Sequence, residues 1–85
     1  MNQLLMRAVV EYAIFLGLSK ETDVNPDVTV SQLEQLAFIL QQLDPVERKE
    51  FMSFIQTMRD AESQNPLSQE RVEFLNSLAE SLGLE

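Results

Sequence analysis

Apolar residues recur at intervals of three and four through four stretches of this chain, and no stretch alternates with period two. That spacing predicts helices and no strand. In the second stretch Val30, Leu33, Leu36, Ala37, Leu40 and Leu43 fall on one stripe. The third does the same with Phe51, Phe54, Ile55 and Met58, and the fourth with Val72, Leu75, Leu78, Ala79 and Leu82. Each of these helices has one apolar side and a polar back, as expected over a shared core. The first stretch is different. Leu5, Ala8, Val9, Tyr12, Phe15 and Leu16 make one apolar stripe, and Met6, Val10 and Ile14 make a second on nearly the opposite side. Arg7 and Glu11, spaced for an i,i+4 ion pair, leave it only a narrow polar edge.

The punctuation of the chain sets the expected boundaries. The two glycines stand in identical tripeptides, Leu16-Gly17-Leu18 and Leu82-Gly83-Leu84, each at the end of a helical pattern. Glycine accepts the left-handed conformation past a helix end at little cost, so both read as helix stops. The second helix has competing start signals. Thr29 with Gln32 forms one capping box, with Val28 and Leu33 at staple spacing, and Ser31 with Glu34 forms another. Asp44-Pro45-Val46-Glu47 is the clearest start, with an acidic cap and proline at the first helical position. Asn65-Pro66 breaks the third helix, and Ser68 is placed to cap the fourth, with Leu67 and Val72 at staple spacing. The expected helices cover about residues 2–17, 29–42, 45–62 and 68–82. Residues 1–85 form a single all-α, compact, four-helix bundle-like domain, with antiparallel neighbours wherever a connection is short.

Composition narrows the chemistry. At 85 residues there is room for one core. The chain has no Cys and no His, so a disulfide framework, the usual zinc sites and Ser–His or Cys–His catalysis are not expected. Fourteen acidic residues against six basic ones give a net charge of −8. That balance argues against binding nucleic-acid phosphates or an anionic membrane; it reads first as an ordinary soluble acidic surface, and it would also steer the chain to a basic partner. The apolar N-terminal stretch is interrupted by Arg7 and Glu11 and is too short to cross a bilayer. It reads as neither a span nor a signal peptide, and the expected location is cytoplasmic.

Two motifs resemble known sites. Residues 23–34, Asp-Val-Asn-Pro-Asp-Val-Thr-Val-Ser-Gln-Leu-Glu, resemble a calcium-binding EF-hand loop: oxygen side chains stand at positions one, three, five and nine and a glutamate at twelve. Position six, where the loop turns sharply, is Val28 rather than glycine, and Pro26 stands at position four. An N-capped helix start accounts for the same residues. The size, acidity and helix count are also similar to acyl carrier proteins. Their carrier serine opens a helix within Asp-Ser-Leu, whereas Ser31 lies in Val-Ser-Gln and Ser68 in Leu-Ser-Gln. Carboxylate pairs such as Glu47/Glu50 and Asp60/Glu62 read as solvated helix faces. No catalytic, metal or cofactor residues are assigned.

What remains is a surplus of apolar positions. Three helices can cover the Met6/Val10/Ile14 stripe from within; otherwise it is an interface. Phe38 and Ile39 lie off the main stripe of the second helix, and Phe74 off that of the fourth. This surplus and the missing catalytic chemistry point to a non-enzymatic protein–protein interaction module of a regulatory, adaptor or immunity type, with Met6, Val10, Ile14 and Phe38 as the candidate partner-binding residues. The alternative is a self-associating structural protein, a homodimer through the first helix. A degenerate calcium loop at residues 23–34 is a minor alternative.

Overall fold

The computed structural model describes residues 1–19 and 24–85. They form four α-helices: α1 (Gln3–Leu18), α2 (Pro26–Leu40), α3 (Pro45–Glu62) and α4 (Gln69–Ser81), with a single 3-10 turn at Pro66–Ser68 before the last. The described residues contain no strand, and the all-α, four-helix reading holds.

The helix ends follow from capping chemistry. Asn2 caps α1 by accepting from the Leu4 and Leu5 amides at 2.8 and 3.2 Å. Asp44 caps α3 through the Glu47 amide at 2.8 Å, with Pro45 first in the helix, as the sequence predicts. The start of α2 differs. Asn25 is its cap, accepting from the Asp27 amide at 2.8 Å, and Pro26 opens the helix. Neither Thr29 nor Ser31 caps it: both lie inside the helix, and Thr29 donates back to the Pro26 carbonyl at 2.9 Å. An Asn-Pro pair offers an acceptor and a pre-set backbone angle together, which two capping boxes further along did not outweigh. Val28 is exposed and forms no staple with Leu33. The entry to α4 is also displaced. Asn65, not Ser68, supplies the capping oxygen, to the Leu67 amide at 3.0 Å. Leu67 is 93% exposed, so it staples nothing.

The two glycines part company. Gly83 has a positive φ of 71°. Its amide donates to the Glu80 carbonyl at 3.0 Å and the Leu84 amide to Ala79 at 2.9 Å, while Leu84 is buried beneath the last turn. This is the glycine stop the sequence predicts. Gly17 is not a stop: it lies within α1, which continues to Leu18. There a Cβ would collide with the ring of Phe74 from α4, so glycine serves close approach between helices.

Helix α1 touches each of the other three. Its N-terminal turn shares a groove with Val46 and Phe54 of α3, and Arg7 and Glu11 share another with Thr57 and Glu62, so α1 and α3 run in the same direction. Because α2 ends just before α3 begins, α2 runs antiparallel to α1 and packs on it. Helix α4 folds back along α3, with Arg59 donating to Asn76 at 3.1 Å. Short connections do not make α2 and α3 close neighbours: α2 packs on α1 instead. The core is built from Met6, Val10, Ala13 and Ile14 of α1, Leu40 of α2, Phe51 and Ile55 of α3, Leu75 and Leu78 of α4, and Leu82 and Leu84 just after it. Phe74, off the predicted stripe of α4, packs against this core. Val30, assigned to the inner stripe of α2, is exposed.

Candidate functional site

The core settles which stripe of α1 is inside. Met6, Val10 and Ile14 are buried by the chain's own helices, Val10 completely, so this stripe is core and presents no surface. The other stripe is largely outside: Leu5, Ala8, Tyr12 and Phe15 are exposed, as is Leu4 beside them. Only Leu16 of that stripe is buried, with Val9 partly so. At 100° per residue, Leu4, Leu5, Ala8, Tyr12 and Phe15 fall within one sector, directly opposite the buried side. Phe38 is where the sequence expects it, 69% exposed on α2, beside Ile39.

The α1–α2 register joins these positions into one surface. The Tyr12 hydroxyl donates to Gln32 Oε1 at 3.3 Å. Two antiparallel helices fixed at that pair bring Ile39 level with Leu5, seven residues from the bond on each helix, and Val28, four residues from it, within one residue of the level of Phe15. Ile39 and Val28 are themselves exposed. The result is an outward face of Leu4, Leu5, Ala8, Tyr12 and Phe15 on α1, continued by Val28, Gln32, Gln35 and Ile39 on α2. None of these side chains is charged. Single exposed apolar residues are ordinary, but a contiguous patch marks an interaction site.

The polar edge of α1 is tied to the body of the domain. Glu11 does not pair with Arg7. It accepts from Arg71 of α4 at 2.7 Å, and the same guanidinium donates to Glu62 of α3 at 2.9 Å. Three helices meet at this bridge. The Ser68 hydroxyl and then the Arg71 guanidinium hold the Glu62 carboxyl below the usual carboxylate range, against a desolvation that raises it. Glu11, above all, raises the already basic Arg71 further. Glu62 is thus a structural anchor and not one of a solvated pair. The partners lie far apart in sequence, so no local spacing signals the bridge.

The calcium-loop resemblance fails on geometry. Residues 26–34 are α-helix, which spreads the ligand positions around a cylinder instead of converging them on one centre. Asn25 spends its side-chain oxygen on the helix cap. Asp23, the first position of that motif, lies outside the described residues. Among the described residues no group of three or more acidic side chains is placed to hold an ion, and no helix is long and apolar enough to cross a membrane. Ser68, one of the two serines compared with a carrier serine, is buried.

Comparison with protein-family models, with curated proteins and with solved structures finds no match for this chain.

Proposed function

We propose that this protein is a non-enzymatic protein–protein interaction module that acts by covering the surface of a partner chain with the outer face of α1 and α2. The observation that supports the reading is a five-residue apolar sector of α1, Leu4 to Phe15, turned directly away from a core the same helix already fills. Helix α1 has no packing need for that sector, because Met6, Val10, Ala13 and Ile14 meet the core from its other side. Exposing Leu, Tyr and Phe side chains carries a hydration cost that burial in a complex removes, at roughly 25 cal/mol per Å². Ile39 carries the same surface onto α2, and Phe38 stands at its edge, in a shallow groove shared with Glu34. The carboxylates lie around this face and not within it, so they set solubility and long-range steering while the apolar centre supplies affinity.

Site-specific photo-crosslinking from Tyr12 and Phe38 in the native host tests the proposal. The expected result is a discrete, stoichiometric cross-linked species from both positions and none from Gln64, an exposed residue in the turn after α3. No cross-linked species from either position, together with measurable turnover of a small molecule by the purified chain, would sink it.

A further inference from the structure

We infer that the occupant of the α1–α2 face is a second copy of this chain, packed about a two-fold axis through the outer side of α1. This rests on the proposed function and names its partner. Charge is the first argument. The chain carries a net charge of −8, and a basic partner would be met by carboxylates. The face offers none: its nine positions, from Leu4 to Ile39, are apolar or amide. It is therefore a surface on which two acidic copies can meet without burying like charges against each other.

Area is the second argument. At their observed exposures, the six large apolar side chains of the face offer on the order of 700 Å², close to the roughly 800 Å² per partner of a standard interface. A two-fold interface must also be self-complementary, so that what residue i meets on the partner, j, is met in turn by i. An antiparallel pair of α1 helices centred between Ala8 and Tyr12 satisfies this. The smallest residue of the sector faces one of the largest, and Leu5 faces Phe15.

Sedimentation equilibrium of the full chain across a wide concentration range, at low and high salt, tests the inference. The expected result is a species of twice the 9.7 kDa chain mass. Its dissociation constant should fall as salt rises, because salt screens the repulsion between two acidic copies; a complex with a basic partner would weaken instead. Ala8→Glu sets a carboxylate against Tyr12 of the second copy on each side of the axis while leaving an exposed helical position helical, and should weaken association by on the order of 100-fold with an unchanged circular dichroism spectrum. A wild-type monomer at the highest concentration overturns the inference, and so does an Ala8→Glu variant that remains a dimer. The wider interaction reading is judged separately by mass. Crosslinks from Tyr12 to a chain of different mass, lost in Ala8→Glu, would replace the second copy with a foreign protein and leave that reading standing.

Discussion

At Gly17 a methyl group would strike the Phe74 ring, and this reverses an ordinary expectation. Gly→Ala inside a helix stabilises by roughly 1 kcal/mol when there is room. Phe74 is packed against the core and must be pushed aside, so Gly17→Ala should destabilise by about 1–3 kcal/mol in urea unfolding. Adding Phe74→Leu to Gly17→Ala should recover part of that loss, a coupling that independent sites would not show. Glu62 makes the second residue-scale prediction. Its carboxyl is held below the usual carboxylate range in the folded state, so its contribution is complete above that range and is lost as pH falls through the lowered value. Arg71 is raised, so its contribution persists at every pH below the ordinary arginine range. Glu62→Gln should therefore cost about 1 kcal/mol at neutral pH, and the gap in Tm between variant and wild type should close as the solution is acidified. A gap of constant size from neutral to strongly acidic solution would contradict the assigned role.

Among the elements, α2 best separates what sequence could say from what it could not. Its existence, its inner residues Leu33, Leu36 and Leu40 and the exposure of Phe38 and Ile39 follow from periodicity. Its start does not, because Asn25, Thr29 and Ser31 are all competent caps and the choice depends on which frees fewer backbone groups. The choice of Asn25 has a direct consequence. Asn25→Ala should cost about 1 kcal/mol through the lost bond to the Asp27 amide. Ser31→Ala, at an exposed position already inside the helix, should be neutral or slightly stabilising, since alanine is the better helix former. Thermal melts of the two variants side by side check the assignment; equal losses would return the cap to the later position. Helix α3 was legible throughout, from Pro45 to Glu62, because acid, proline and glutamate at its start all favour the same boundary.

For the whole molecule the question is which side of α1 faces in, and periodicity cannot answer it. It gives the angle between two stripes, not which one meets the other helices. A physical signal was present in side-chain size. A helix that touches three others must be approached closely, and the side bearing Ala13 and Gly17 allows that, whereas Leu4, Leu5, Tyr12 and Phe15 would hold neighbours apart. Adjacent substitutions on α1 test the orientation with a single readout. Ile14 is 4% exposed and Phe15 is 56% exposed, although they are neighbours in sequence. Ile14→Glu buries a carboxylate among apolar side chains with no partner, a cost of several kcal/mol that a domain of this size does not survive. Phe15→Glu turns the same carboxylate toward water and removes an exposed aromatic ring. Far-ultraviolet circular dichroism in dilute solution should show Ile14→Glu unfolded and Phe15→Glu helical. The reverse result would turn α1 over, returning Met6, Val10 and Ile14 to the surface and taking the proposed face into the core.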